Sequence, residues 1–354
     1  ARQARRLRPS VVSLADEHAL ATLDLPAGTA RVSGPDALQQ LATRDDVDIV
    51  LVATGGVVSL RPVLAALATG RVVATANKEV LVAAGHLVMP VARERAAEVA
   101  RRDPTSPMAS PLGWLRPIDS EHSAIWQCLA GEGNQGIERI VLTASGGPFR
   151  GMDAASRARV TPDEALRHPT WQMGNKISVD SATLANKALE VIEAHHLYGL
   201  AYDDIEVVVH PQSIVHAFVE FADGSVLAQL GFPTMELPIL YALTHPARLA
   251  DTGVPRFDPV AAGPLTFEPV RTDVFRTFAA GVAAGRAGGT APAAFNAANE
   301  AAVAAFLEGR IPFGRIADTI DAVLAAHVVQ PAAALDAVRE ADRWARARAR
   351  EEMS

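Results

Sequence analysis

The 354-residue sequence predicts an α/β fold in its first third, a mixed α+β region in the middle and a bundle of helices at the end. Three observations lead there. Over residues 10–105, short β-rich apolar runs alternate with helical stretches, the pattern of parallel βαβ units with helices on both faces of a sheet. From Leu115 to Leu230 strands and helices mix, and "SIVHAFVEF-ADG-SVLAQLG" reads as a hairpin around a DG turn. Residues 271–350 are alanine-rich, with helical periods broken at "GRAGGT", "EGRIPF" and "HVVQP", as in three or four packed helices.

Taken in order, the arginine-rich opening "ARQARRLRPS" reads as a helix end feeding the strand "SVVSL". A transit peptide is the weaker reading, because no serine-rich, acid-poor stretch follows. "DIVLVATGG" is a buried strand running into a helix, with Gly55 and Gly56 at the junction, where an open α/β sheet presents its ligand site. "RVVATANKE" is a second strand running into a long helix that ends near Arg102. The proline- and serine-rich stretch "RRDPTSPMASPLGWLRP" marks a boundary or surface insertion. "IERIVLTAS" is a strand and "SATLANKALEVIEAHHLYG" a single helix that Asp180 and Ser181 cap. Residues 231–270 are punctuated by proline, and the late "RWARARAR" reads as a solvated helix face. "GEGNQG", residues 131–136, matches G-x-G-x-x-G by letter, but it follows a helix and precedes a strand, so it is a turn.

The composition excludes several classes. A chain this long exceeds one ordinary core and predicts two or three domains. Its 49% hydrophobic and 21% charged residues are globular, and no apolar run approaches the span of a bilayer. A net charge of −7 argues against a general nucleic-acid binder. The sole cysteine, Cys128, excludes an internal disulfide and suits a reducing cytosol.

Of 33 lysines and arginines only three are lysines, Lys78, Lys176 and Lys187, and each follows an asparagine. A sequence so biased to arginine keeps lysine where a compact ammonium on a thin stem is needed.

Four segments set polar residues against apolar flanks. In "PIDSEH" an extended backbone would turn Asp119 and Glu121 to one face and Ser120 to the other. Two carboxylates on one side suit a hard cation such as Mg²⁺ or Mn²⁺, with a third ligand from elsewhere. In "LTASGGPF" a strand ending at Ser145 leaves N–H groups free to meet an anion. The segment "HPTWQMGNKISVDSATLANKALEVIEAHH" places His168, Trp171 and Met173 in a candidate lid. It also sets Asn186 and Glu190 one helical turn apart beside Lys187. Glu190 is a candidate third carboxylate, and Ser181, Asn186 and Lys187 are candidate phosphate binders. Capping and a surface ion pair would explain the same residues. In "HPQSIVH", a structural role fits His210 and His216 better than catalysis.

Together "ANKE", "PIDSEH", "TASGGPF", "HPTWQMGNKISVDSATLANKALE", "HPQSIVH" and "NAANEAAVAAFL" occur in the order and rough spacing of the 1-deoxy-D-xylulose 5-phosphate reductoisomerases, and the resemblance covers nearly the whole chain. It implies an N-terminal Rossmann-like NADPH domain over 1–105, a central α+β catalytic domain over 106–244, a linker over 245–270 and a C-terminal helical domain over 271–354. It also implies NADPH and Mn²⁺ or Mg²⁺ (or Co²⁺) as cofactors, a small phosphorylated sugar as substrate, a homodimer and a cytoplasmic location without nucleic-acid or membrane partners. The family's chemistry breaks and re-forms a carbon–carbon bond to give a branched aldehyde, which NADPH reduces.

Carried over by position, Asp119, Glu121 and Glu190 match the metal ligands. Lys78 and Ser120 match residues at the substrate's reacting end, and Ser145, Ser181, Asn186 and Lys187 match its phosphate and hydroxyl binders. His168, Trp171 and Met173 fall on the closing loop, while His122 and His216 match histidines implicated in function. Ala53, Thr54, Gly55, Asn77, Glu79, Gly174 and Met235 fall where the family meets its cofactor. The family's opening strand and G-x-T-G-x-I-G turn are not in this sequence, so it reads as truncated by roughly fifty residues. The rival readings are another NAD(P)-dependent dehydrogenase with a separate substrate domain, and a non-catalytic fragment.

Overall fold

The computed structural model describes residues 1–132, 136–250 and 253–354. Helix α1 (Arg2–Leu7) leads into β1 (Val11–Ser13), which pairs in parallel with β2 (Ala30–Val32). Between and after them lie α2 (Glu17–Thr22), capped by Asp16, and α3 (Ala37–Ala42). A separate parallel sheet has the order β3 (Ile49–Val52), β4 (Val72–Thr75), β5 (Leu115–Pro117). Its β-branched strands suit this half-buried, two-faced setting. The connections are α4 (Leu60–Ala68) and α5 (Lys78–Ala100). Strand β5 carries this sheet past residue 105, where the sequence suggests a domain edge.

The proline-rich stretch folds as a 3₁₀ turn, Pro107–Ala109, followed by α6 (Pro111–Trp114). Ser106 and Ser110 cap the two, and each has proline in its first turn, where no N–H is needed. After β5 comes α7 (Ser120–Cys128).

The middle of the chain builds a five-stranded mixed sheet from β6 (Ile137–Ala144), β7 (Ile205–Val209), β8 (Val215–Phe221), β9 (Val226–Leu230) and β10 (Glu268–Pro269). Its order is β10-β7-β6-β8-β9, with β6–β7 parallel and the other pairs antiparallel. Strands β8 and β9 are the hairpin expected at the DG turn. Between β6 and β7 run α8 (Ala154–Arg157), α9 (Pro162–Ala165), α10 (Asn175–Thr183) and α11 (Ala185–Tyr198). Helices α12 (Glu236–Thr244) and α13 (Pro259–Ala262) occupy the proline-punctuated region.

Four helices close the chain: α14 (Arg276–Ala287), α15 (Ala291–Leu307), α16 (Gly314–Ala326) and α17 (Leu335–Met353). Helix α15 is the axis of this bundle, with Phe295 and Phe306 fully enclosed. An alanine-rich helix buried on nearly all sides lets its neighbours approach closely. The "RWARARAR" stretch lies on α17 and is less solvated than the sequence suggests. Ala345 and Ala349 are buried, and Arg346 binds Glu300 and Asp342. "GEGNQG" joins α7 to β6 as a connection, although residues 133–135 lie outside the described set. Among the described residues, no helix is long and apolar enough to cross a membrane.

Candidate active site

Parallel strands aim the residues that follow them toward one edge of the sheet. The turn Ala53–Gly56 follows β3, Asn77 and Lys78 follow β4, and Asp119 follows β5, so three sequence-distant segments meet there. Asn77 caps α5 by accepting from Val80 N–H at 2.8 Å. Its amide donates to the carbonyls of Thr54 (2.5 Å) and Gly56 (2.8 Å), which ties the β3 turn to the start of α5. Helix α5 is kinked at Ala84, so its opening turns are set apart from the rest. At the kink, a Cβ on Gly85 would lie 2.3 Å from the His196 ring, so only glycine lets α11 approach there.

"PIDSEH" does not stay extended. Asp119 is the N-cap of α7, accepting from the Glu121 and His122 N–H groups at 3.2 and 3.4 Å. A carboxylate is favoured at this position by the free N–H groups and the helix dipole. The helical turn brings Asp119, Ser120 and Glu121 to one cavity, where an extended strand would have turned Ser120 away. The Ser120 hydroxyl donates to Glu121 Oε2 at 2.7 Å.

The single helix expected from Ser181 onward is two. Leu184 takes a left-handed φ of 57° and breaks the run, so α10 ends and α11 begins within one residue. Asp180 and Ser181 therefore lie inside α10 near its end, and they are not the caps of a following helix. The break aims the start of α11 at the sheet edge. Asn186 and Lys187 lie in its first turn, and Glu190 points the same way.

Asp119, Glu121 and Glu190 each offer an oxygen, and these atoms lie within 4.8 Å of one another. Octahedral bonds of about 2.1 Å place ligand oxygens about 3–4 Å apart, so oxygens within 4.8 Å of one another need only a small inward movement to share one cation. An all-oxygen carboxylate set is the chemistry of Mg²⁺ or Mn²⁺. Two ammonium groups flank it. Lys78 contacts Asp119 and lies 3.2 Å from Glu190, while Lys187 lies 2.5 Å from Glu190 and 3.4 Å from Glu121. Asn186 donates to Glu190 at 2.5 Å.

Burial opposes charge here, and the cluster answers with opposed charges. Burial would lower the Lys78 and Lys187 ammonium groups, yet the surrounding carboxylates hold both above the usual range. Burial also opposes ionisation of Asp119, but Lys78, His122 and Lys187 hold its carboxyl well below the ordinary value. Glu121 goes the other way: burial, with Glu190 and Asp119 nearby, pushes it up to about 7.

The cavity, about 230 Å³, has a second wall made by Ser145, Ser181, Asn186 and Lys187. Trp171, Gln172 and Met173 cover it, and Met235, at the start of α12, closes one side. His168 knits this wall together. Its Nδ1 accepts from the Thr170 and Trp171 N–H groups at 3.1 and 2.9 Å, so Nε2 carries the proton. Nε2 contacts both Ser145 Oγ (3.0 Å) and Ser181 Oγ (3.1 Å). Burial lowers the pKa of this imidazole.

The loop after β6 reaches α10 through Gly147, at φ 66°. A Cβ there would lie 2.6 Å from the Ser181 carbonyl oxygen. Gly147→Ala should cost about 1–3 kcal/mol and spread Ser145 from Ser181, since backbone cannot yield as a side chain can. A lowered Tm together with a raised substrate KM would show it; an unchanged KM would refute it.

The remaining candidates are placed as follows. Ala53, Thr54 and Gly55 are exposed beside Asn77, and Gly174 is the N-cap of α10. The Glu79 carboxylate is taken by Lys176 at 2.8 Å. Lys176 also binds Asp180 at 2.9 Å, so the third lysine clamps the root of the lid to α5. Asn299 of α15 completes the clamp by donating to Asp180 at 2.8 Å. His210 is structural, held to Thr266 O and to the N–H groups of Ile214 and Val215. His216 is buried, 6.4 Å ring to ring from Trp171, and burial with Lys187 nearby lowers it to about 4. His122 is fully enclosed behind the cluster, 3.4 Å from Glu193. Glu193 is not recognisable as part of the site from the sequence. Its one signal was the spacing of three from Glu190, which also suits a solvated helix face.

Three family models match the chain. The 1-deoxy-D-xylulose 5-phosphate reductoisomerase model covers residues 1–85, its C-terminal domain model covers 115–198, and a DXP reductoisomerase C-terminal domain model covers 230–348. Similar curated proteins include the 1-deoxy-D-xylulose 5-phosphate reductoisomerases of Pelotomaculum thermopropionicum and Exiguobacterium sibiricum. The first is 48% identical, over 98% of this chain and 86% of the relative; the second is 46% identical, over 97% and 85%. Among solved structures, the Zymomonas mobilis reductoisomerase in complex with NADPH is similar at 36% identity and TM-score 0.86, covering 99% of this chain and 87% of that one. A DOX-P reductoisomerase in complex with NADPH, fosmidomycin and magnesium is similar at 35% identity and TM-score 0.87, covering 99% and 88%. With its fold, its acidic triad and these matches along nearly its whole length, the chain belongs to the 1-deoxy-D-xylulose 5-phosphate reductoisomerase family.

Proposed function

We propose that this chain performs the family's NADPH- and divalent-metal-dependent conversion of 1-deoxy-D-xylulose 5-phosphate to 2-C-methyl-D-erythritol 4-phosphate, with Asp119, Glu121 and Glu190 as its metal ligands. The observation that carries the assignment is the meeting of these three carboxylates within 4.8 Å, facing a cavity walled by hydroxyl, amide and ammonium donors. A bound Mg²⁺ or Mn²⁺ supplies Lewis-acid and template chemistry at the substrate's carbonyl and neighbouring hydroxyl, and NADPH supplies the hydride.

The chain's own residues do the rest. Lys78 presents an ammonium to negative charge developing on oxygen. Ser145, Ser181, Asn186 and Lys187 hold the phosphate and hydroxyls. Trp171 and Met173 keep water from the reacting centre, and His168 anchors that cover to both serines. The exposed turn Ala53–Gly55 and the Asn77 junction supply the cofactor-facing edge. NADPH consumption that needs both the phosphorylated ketose and Mn²⁺ or Mg²⁺, and stops with chelator, tests this reading. Turnover indifferent to the cation would refute it.

The raised Glu121 carboxyl makes cation binding depend on pH. Its folded value of about 7 exceeds the ordinary 4.5, so in the metal-free protein its contribution to stability is complete below pH 4.5 and lost as pH rises through 7. Cation binding has the opposite sense, because the ligand must give up its proton. Mn²⁺ uptake at pH 6 should release about one proton, falling toward none at pH 8. Calorimetry in buffers of different ionisation enthalpy measures this directly.

A homodimer in the cytoplasm accompanies this reading. It is supported by the edge strand β9, where Val226 and Leu227 are exposed, and by the lone cysteine. Light scattering that reports a monomer would remove the dimer.

A further inference from the structure

We propose that Glu193 is a positioning residue that receives the Lys78 ammonium when a divalent cation occupies Asp119, Glu121 and Glu190. The inference rests on the metal-centre reading above and assigns a role to a carboxylate outside it. Glu193 lies one turn beyond Glu190 on α11 and is 3% exposed. Its Oε2 is 4.0 Å from Lys78 Nζ and 3.4 Å from His122 Nε2. Neither contact is a formed hydrogen bond, and among the described residues Glu193 Oε2 and both His122 ring nitrogens have no hydrogen-bond partner. Buried polar atoms gain from a completed hydrogen bond, and Lys78 and His122 are the groups near enough to Glu193 to supply one.

Charge shows which. Ionised, Asp119, Glu121, Glu190 and Glu193 would set four negative charges against the two ammonium groups of Lys78 and Lys187. A divalent cation held by the three ligands would bring two positive charges to that side of the cluster. Such a cation, together with Lys187, neutralises the three ligands. Lys78 is then the ammonium left without a carboxylate of the triad, and Glu193, which also faces His122, lies beside it. At present Lys78 rests on Asp119 and Glu190, where its ammonium competes for the lone pairs that a metal needs. A cation on those ligands repels the ammonium, and Glu193 is the buried carboxylate outside the triad within its reach. Lys78 Nζ is already 4.0 Å from Glu193 Oε2, so the pairing needs only a short shift of the ammonium.

Mn²⁺ titration of the full chain, followed by electron paramagnetic resonance and calorimetry, tests the proposal. Glu193→Gln leaves Lys78 as a surplus cation, so Mn²⁺ should bind about ten- to a hundredfold more weakly. Adding Lys78→Met to that variant removes the surplus and should restore affinity to near the wild-type value while leaving turnover lost. A purely structural role for Glu193 would not be rescued by a second buried substitution. Should Glu193→Gln fail to fold, Glu193→Asp keeps the charge and shortens the reach, and an intermediate loss of affinity is expected. Wild-type affinity in either single variant, or no recovery in the double, overturns the proposal. Failure of the wild-type chain to bind Mn²⁺ would instead overturn the metal centre, and with it the premise.

Discussion

Glu190→Gln should lower kcat/KM by about three orders of magnitude and abolish the response to Mn²⁺ or Mg²⁺. The change keeps the side chain's shape and removes one charge. Glu190 is 1% exposed, and its two oxygens serve Lys78, Lys187 and Asn186 as well as the proposed cation. The carboxylate set then falls to Asp119 and Glu121, both from one short segment, and α11 offers the metal only a neutral amide oxygen. Activity should fall to the same floor that a chelator imposes on the wild-type chain, and adding Mn²⁺ should not raise it. A Glu190→Gln variant that still answers to Mn²⁺ would show that the third ligand lies elsewhere.

The second large effect is at Lys78. Lys78→Met should cost about two to three orders of magnitude in kcat with a smaller change in substrate KM, because its charge matters most where negative charge develops. It should also destabilise the metal-free chain by about 3–5 kcal/mol, the usual result of removing one partner from a buried ionic cluster. Lys78 is 7% exposed and flanked by Asp119 and Glu190, which would then face each other uncompensated. The two losses should separate. Saturating Mn²⁺ should restore part of the stability, measured by urea unfolding, with Glu193 still lacking its ammonium, and none of the rate. Recovery of both would make Lys78 a counter-ion only.

Much of the architecture was legible because period and punctuation are local properties. β-branched runs alternating with helical stretches gave the parallel strands, "ADG" located the β8–β9 hairpin, and the glycine-rich breaks separated α14 from α17. The errors have local causes too. "PIDSEH" alternates like a strand, but the free N–H groups after Asp119 reward a helix start. "SATLANKALE" has no helix breaker, and only packing holds Leu184 in a left-handed conformation that its own side chain disfavours. Lys176 stands out in the sequence by its rarity, yet its partners Glu79 and Asp180 are not readable as such, since each also reads as an ordinary helix-surface acid.

By itself the sequence determined which groups exist to do chemistry: an arginine-rich chain with three lysines, an acid pair in one short segment and further acids on a distant helix. Those are matters of residue type and short spacing. Only the tertiary structure decided that Glu190 faces that pair, that Lys78 and Lys187 stand beside it, and that Glu193 waits behind it. Such meetings depend on which strand ends share a sheet edge and where a helix breaks. Those are set by packing over the whole chain, and no window of neighbouring residues contains them.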